Sequence, residues 1–139
     1  MVIFNSEIHL STEGWTDTRD ITPQVREQIK TSKIQNGLVT VFVPGSTASV
    51  TTMEFEPNLV KDLKETAERW APSDKRYHHD ATWGDDNGFA HMRHLLMGPS
   101  LTVPLHKGKL TLGTWQQIVF VDFDNRPRDR SVFVHILGE

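Results

Sequence analysis

Two hydrophobic periods alternate along the chain. Residues 2 to 10, "VIFNSEIHL", set Ile8 and Leu10 against polar neighbours in a period of two, which predicts a strand. The segment from 20 to 37 switches to helical punctuation. Thr22 suits an N-cap, Pro23 the first helical position and Asn36-Gly37 a C-terminal stop, with Val25 and Ile29 on one stripe. "LVTVFVP", residues 38 to 44, is a nearly unbroken β-branched run and reads as a central strand covered on both faces. A Gly-Ser-Thr turn and a second strand follow. Pro57 then opens a helix in which Leu59, Val60, Leu63, Ala67 and Trp70 recur at a helical period, and Pro72 ends it.

Residues 73 to 89 show little periodicity and read as one long loop, the kind that tends to carry function. A short helix is expected over 90 to 97. The remainder reads as strand: "SLTVPL", a turn at "HKGK", "LTLG", "TWQQIVFVDFD", a turn at "NRPR" and "SVFVHIL", the last two runs pairing as a hairpin. The expected fold class is α+β, a mixed, mainly antiparallel β-sandwich with two main helices, in a single domain over residues 1 to 139.

Composition narrows the function classes. At 139 residues, 37% hydrophobic and 24% charged, the chain has the make-up of an ordinary globular domain. Cysteine is absent, which removes thiolate nucleophiles and cysteine-based metal sites. The N-terminus lacks a signal-peptide pattern and no apolar run approaches the ~20 residues of a membrane span, so a cytoplasmic location and no membrane partner are expected. A net charge of -3 argues against a nucleic-acid partner, and the basic cluster "RPRDR" reads as a solvated turn rather than a phosphate patch.

The candidate chemistry concentrates in "YHHDATWGDDNGFAHMRH", residues 77 to 94, which holds four of the seven histidines. His79 and His91 flank the turn "GDDNG", which can fold back and bring the two imidazoles together. His91 and His94 are three apart on an expected helix and share a face. Such a set either holds a divalent metal with a carboxylate, or caps helices and hydrogen-bonds within a polar loop. An EF-hand is excluded, because Trp83 occupies a position that needs an acid. "PGSTAS", residues 44 to 49, presents backbone N–H groups and hydroxyls to an anion, or is an ordinary turn. Gly113 interrupts a strand before Trp115 and Gln116, marking a bulge or the close approach of a ligand. Glu54 and Glu56 share one strand face, as an acid–base pair or as a solvent-facing acid near a helix start.

Taken together, "STAS", Glu54, "YHHD", "GDDNGFAHMRHLLMGPSLTVP", "GKLTLGTWQQI" and the closing "GE" resemble the YjbQ family. That family is known as the secondary thiamine-phosphate synthase enzymes, and many members are uncharacterised. The resemblance implies a YjbQ-like α+β sandwich, assembled as a homotrimer with sites near subunit boundaries. It implies His79 and His91 as ligands of a divalent metal, zinc or magnesium. It matches Glu54 to a family glutamate, and Ser46, Thr47, Asn87, Ser100, Gly113, Thr114, Trp115 and Gln116 to positions near the pocket. His78 and His94 fall at variable positions. Gly45 stands where many members have a histidine, which leaves the ligand count open.

The implied reaction is a weak thiamine-phosphate synthase activity, joining hydroxymethylpyrimidine pyrophosphate to thiazole phosphate. Its demands are a metal to neutralise the leaving pyrophosphate, Ser46 and Thr47 to hold a phosphate, and Trp115 to stack on the pyrimidine. His91 is the residue whose loss should abolish it. The alternatives are a metal-dependent hydrolase or transferase on another small phosphorylated metabolite, with Glu54 or Asp86 as base, and a non-catalytic trimer that binds a metal or small ligand.

Overall fold

In the computed structural model, which describes residues 1 to 139, the chain builds eight strands and four helices. They run β1 (Val2–Thr12), β2 (Asp17–Asp20), α1 (Thr22–Ser32), β3 (Gly37–Phe42), β4 (Ala48–Glu54), α2 (Pro57–Trp70), α3 (Asp80–Trp83), α4 (Gly88–Met97), β5 (Ser100–His106), β6 (Lys109–Leu110), β7 (Gln116–Asp122) and β8 (Arg128–Gly138). One sheet has the order β1-β8-β3-β5-β6 and the other the order β2-β7-β4. The fold is α+β as expected, and its pairing is antiparallel throughout rather than only mainly so. No helix is long and apolar enough to cross a membrane.

Alternation along the strands builds the core in two parts. Val39, Val41, Val103, Leu105, Val132, Val134 and Ile136 line the inner face of the five-stranded sheet. They meet Ile118, Phe120 and Val50 of the three-stranded sheet, and Val25 and Ile29 of α1. The odd positions of β7, Val119 and Val121, point the other way. There they join Phe123 and the helix residues Ala67, Phe89 and Ala90 in a second cluster. β7 is therefore the strand covered on both faces.

That corrects the reading of "LVTVFVP". In β3, Val39 and Val41 are buried, whereas Leu38 and Phe42 are 48% and 43% exposed on the outer surface of their sheet. A β-branched run fits a pleated surface whether one face or both are covered, so composition does not separate the two cases. The expected hairpin of β7 and β8 is overturned as well. β7 already pairs with β2 on one edge and β4 on the other, so no edge remains for β8. β8 instead lies between β1 and β3 in the opposite sheet.

Helix ends also differ in detail. Thr22 does not cap α1: its buried hydroxyl accepts the Ile118 amide at 2.8 Å, tying the helix start to β7, and the Asp20 carboxylate accepts the Thr22 amide at 2.9 Å. α1 stops at Ser32, with Lys33 in the left-handed region at φ 62°, before Asn36-Gly37 is reached. At α2 the acid near a helix start is Glu56, whose carboxylate accepts the Asn58 and Leu59 amides at 2.9 and 2.7 Å. This satisfies two donors that the first turn leaves free.

The second core cluster is tied by Arg93 of α4, which is 1% exposed. Its Nε donates to the Ala71 carbonyl at 3.0 Å, and its Nη2 forms an ion pair with Glu68 of α2 at 2.9 Å, with the N–H off the hydrogen-bond line. Burial alone would raise the Glu68 carboxyl. The Ser73 amide, the Arg93 guanidinium and the Ser73 hydroxyl outweigh it and bring the pKa from 4.5 down to about 2. A depressed folded-state pKa contributes stability in full above the ordinary value and loses it as pH falls through the folded one. The melting-temperature gap between wild type and Glu68→Gln should therefore be full at pH 6, shrink between pH 4.5 and about 2, and close below that window.

Candidate functional site

The long segment after α2 is held by one buried carboxylate. Asp80, 5% exposed, accepts the Tyr77 amide through Oδ2 and the Gly88 amide through Oδ1, each at 2.9 Å. These bonds, the Tyr77 amide first, hold the Asp80 carboxyl below the usual carboxylate range. A four-residue helix, α3, forms inside the closed loop, and α4 begins at Gly88, two residues earlier than expected. Gly88 is required by space: a Cβ there would lie 2.5 Å from Tyr77 Cβ and 2.9 Å from Asp80 Oδ1. Gly88→Ala is expected to cost about 1–3 kcal/mol of stability through overpacking, read from the denaturant midpoint, and to loosen the loop that carries His79.

Closing that loop brings His79, just before α3, against His91, one turn into α4. Their ring centroids are 4.2 Å apart with the planes tilted by 56°. His91 is held below the ordinary imidazole pKa, first by burial and then by the charge of His79. Its lone pair is therefore free near neutral pH, as a metal ligand or a proton acceptor requires. The pair opens onto a cavity of about 340 Å³. The β3–β4 turn supplies Gly45, Ser46 and Thr47 to its wall, the loop supplies Trp83, Asp85 and Asn87, and the β7–β8 crossing supplies Asp124, Arg128 and Arg130.

Beneath the cavity lies a buried charge network that joins the two sheets. Asp122 and Asp124 are both fully buried. Arg130 donates to Asp122 through Nε at 2.8 Å and Nη2 at 3.0 Å, and to the Thr47 hydroxyl at 2.8 Å. Arg128 Nε donates to Asp124 at 2.9 Å. Thr12 of β1 donates to Asp122 at 2.6 Å. Burial would raise the Asp124 carboxyl, but the Asn125 amide, Asn87, Thr47 and Arg128 hold it below its usual range. The geometry that denies β7 and β8 a hairpin ladder thus replaces it with side-chain bonds.

The residues singled out in the sequence fall in two places. Ser46, Thr47, His79, Asn87 and His91 line the cavity just described. Thr47 spends its hydroxyl on Asp124 and Arg130, whereas Ser46 is exposed and free of protein partners. Asp86 is exposed at φ 56° and stands off the cavity wall, where its neighbour Asp85 takes the place, with its carbonyl held by Asn125 at 2.7 Å. Glu54 is exposed at the far end of β4, opposite Gln116. Ser100 and Gln116 line a different cleft of about 310 Å³ between β4 and β5. The Gln116 amide is engaged within the chain, accepting from the Gly113 amide and donating to Thr52, both at 3.0 Å. Gly113, Thr114 and Trp115 form the exposed loop before β7, and Trp115 is 73% exposed.

His94 accounts for itself structurally: its Nδ1 sits 2.6 Å from the Ala48 carbonyl and 3.2 Å from the Ser49 hydroxyl, anchoring α4 to β4. The cavity residues that sequence reasoning did not assign to the site are Trp83, Asp85, Asp124, Arg128 and Arg130, and for the charge network the sequence held a clue. "DFD" and "RDR" each place like charges two apart, hence on one side of an extended chain, with opposite signs on two segments only a few residues apart. Of "RPRDR", Arg126 and Pro127 are an exposed turn as expected, whereas Arg128 and Arg130 lie in β8 and pair with buried acids.

The chain has close relatives. The family model for the UPF0047 protein, YjbQ-like, matches residues 6–139. A UPF0047 protein of Methanothermobacter thermautotrophicus is 36% identical over 139 residues, covering all of this chain and 95% of the relative. One from Archaeoglobus fulgidus is 40% identical over 131 residues, 94% of this chain and 99% of the relative. Among crystal structures, a YbjQ-like protein of unknown function from Sulfolobus solfataricus superposes with a TM-score of 0.94 at 33% identity over 99% of both chains. A hypothetical protein from Aeropyrum pernix K1 gives 0.92 at 34% identity over 98% of this chain and 99% of that one.

Proposed function

The chain belongs to the YjbQ-like UPF0047 family, and from that premise we propose that it is a cytoplasmic, homotrimeric enzyme of a small phosphorylated metabolite with weak thiamine-phosphate synthase activity. One observation carries the reading: two imidazoles, ring centroids 4.2 Å apart and one of them held neutral, face a cavity that also presents two arginines and a free serine hydroxyl.

A divalent metal fits this donor set in part. His79 and His91 would hold it, and no third histidine, aspartate or glutamate stands with them, so the remaining positions would go to water, to ligand oxygens or to a neighbouring subunit. Imidazole donors suit zinc better than magnesium, which prefers carboxylates and water. Bound there, the ion would supply the positive charge that a departing pyrophosphate needs.

The cavity's own charge sharpens this. Arg128 and Arg130 are already paired with Asp124 and Asp122, and Asp85 adds a further carboxylate. Two cations against three carboxylates leave a site that does not attract a phosphate by itself. Each arginine does keep its Nη1 free of protein partners, and these N–H groups with Ser46 can orient phosphate oxygens. In the proposed transfer the bond from the pyrimidine methylene to the pyrophosphate oxygen breaks, the oxygen leaving with the electron pair. A bond from the thiazole nitrogen to that carbon forms.

The split of the expected site residues supports the assembly. Within one chain, Glu54, Ser100 and the Trp115–Gln116 segment stand apart from the imidazoles, so only a second copy could bring them to the same ligand. Mixing inactive His91→Ala with inactive Trp115→Ala protein and reassembling them should then restore activity. The central test is direct: untagged protein with both substrates and zinc or magnesium should form thiamine phosphate, and product no greater than without protein, across several metals, overturns the assignment.

A second reading is favoured by Asp85. Its carboxylate lines the cavity without an ion-pair partner, which suits a base acting on water. On that reading the protein is a hydrolase of another phosphorylated metabolite, and a substrate panel read by phosphate release separates it from the synthase.

A further inference from the structure

A second cavity, of about 380 Å³, lies between α1 and the β5–β6 hairpin, at the opposite end of the larger sheet from the imidazoles. β3 sets the separation. Phe42 leads into the turn that walls the imidazole cavity, whereas Gly37 follows the segment bonded to the hairpin. Its six residues span about 20 Å. Arg26 and Ile29 form one side of the second cavity, and Gly108, Lys109 and Leu110 the other. Ile29 is a core residue, so the floor is hydrocarbon, and Arg26 and Lys109 stand exposed at the rim.

The charge around this cavity is the second observation. Arg26, Lys30 and Lys33 recur at intervals of four and three along α1 and its cap, hence on one face. The hairpin turn adds Lys107 and Lys109. These are five of the fifteen lysines and arginines in a chain of net charge -3, and none of them forms an ion pair. The acids of this end, Glu27 and Glu139, pair with none of them. The like charges are also held together by rigid backbone. The Gly108 amide donates to the Gln35 carbonyl at 2.8 Å, and the Lys107 amide to Asn36 Oδ1 at 3.1 Å. Lys107 and Gly108 form a two-residue turn with φ 50° and 74°, a geometry that favours Asn-Gly. Lys33 is left-handed too, at φ 62°. Two lysines thus occupy positions that the backbone would rather give to asparagine or glycine, a local cost of the kind found at binding sites.

We propose that this cavity is a second ligand site, one that takes a small amphipathic anion: a carboxylate or phosphate head between Arg26 and Lys109, and an apolar body on Ile29 and Leu110. Guanidinium and ammonium both bind oxyanions through charge-assisted hydrogen bonds, and the cavity has the size of a metabolite site. Lys30, Lys33 and Lys107 raise the local potential and draw the anion in. A bare phosphate would leave the hydrocarbon floor wet, whereas an apolar body covers it. The two cavities differ in electrostatics. Arg128 and Arg130 are neutralised by buried acids, whereas the cations here have no counter-charge in the chain. The site is independent of the reaction proposed at the imidazoles.

The test is calorimetric titration of the full chain with four probes: octanoate, octyl phosphate, octanol and inorganic phosphate. Octanoate or octyl phosphate should bind once per chain, about tenfold or more above octanol and inorganic phosphate, and the tighter of the two identifies the head. The double variant Arg26→Gln, Lys109→Gln should lower that affinity about tenfold or more. Its melting temperature should hold or rise, because neither side chain has an ion-pair partner to lose. His91→Ala, at the other end of the sheet, should bind the probes as wild type does. Octanol binding as well as octanoate makes the cavity a plain apolar pocket, and inorganic phosphate binding as well as octyl phosphate makes it a basic patch. Either result overturns the proposal. So does unchanged affinity in the double variant, or no binding by any probe. All four outcomes leave the imidazole site untouched, and a failure to form thiamine phosphate leaves this site untouched in turn.

Discussion

Asp122→Ala is expected to lower the unfolding free energy by about 3–5 kcal/mol, the range for removing one partner of a buried ion pair. Asp122 is fully buried and the Arg130 side chain is 14% exposed, so solvent can do little to replace the lost carboxylate. Arg130 would keep only its contact with Asp124, at 3.5 Å, and its bond to Thr47. The Thr12 hydroxyl would lose its 2.6 Å acceptor, and the Asp124 amide its bond to Oδ1 at 3.0 Å. These bonds reach from β7 in one sheet to β1 and β8 in the other, so their loss should separate the sheets rather than loosen a single strand. Denaturant unfolding measures this, with Thr12→Val as a milder comparison that removes the hydroxyl's bonds to Asp122 and the Arg128 carbonyl and leaves both charges. A loss below about 1 kcal/mol would mean that hydrophobic packing, not the charge strut, holds the sheets together.

The second large effect is functional. His91→Ala should weaken zinc binding by about 100-fold or more and abolish turnover, since two imidazoles are all the nitrogen donors the cavity offers. The fold should survive, because alanine favours a helix and α4 is anchored by other residues, Arg93 and His94. His94→Ala provides the contrast: it removes the bond to Ala48 and should lower the melting temperature while leaving zinc retention unchanged. Metal analysis of untagged protein reads both variants. Full zinc content in His91→Ala would remove the imidazole pair from the site.

The sequence was most informative where one physical rule acted alone. The alternation of β1 and the stripe of α2 each reflect one buried face, and both elements are where the pattern puts them. β2 carried no such mark. "DTRD" is polar throughout and is a strand only because β7 offers it a ladder. β3 and β7 show the limit of composition, since both are β-branched runs and only the layer arrangement decides which is covered twice. The convergence of His79 and His91 was legible because a glycine-containing turn lay between them. What closes that turn, Asp80 reaching to Tyr77 and Gly88, was not. The arginines were misjudged for want of their partners: a charge run reads as solvated until the buried acids facing it are known. Glu54 and Gln116 were grouped with the histidines by resemblance, and within a single chain no spacing rule could have revealed their separation.

The pairing of β1 with β8 bears on how the protein is made. Val2 lies opposite Gly138 and Thr12 opposite Arg128, so each residue of the first strand has its ladder partner more than a hundred positions away. During synthesis the nascent β1 emerges from the ribosome with no mate and stays unzipped until residues 128–138 follow. β3 waits in the same way for β5 and β8. Closure of such distant segments is slow, and the apolar Ile8 and Leu10 must remain soluble throughout. Completion of the larger sheet is thus a late event, set by the arrival of its central strand, β8.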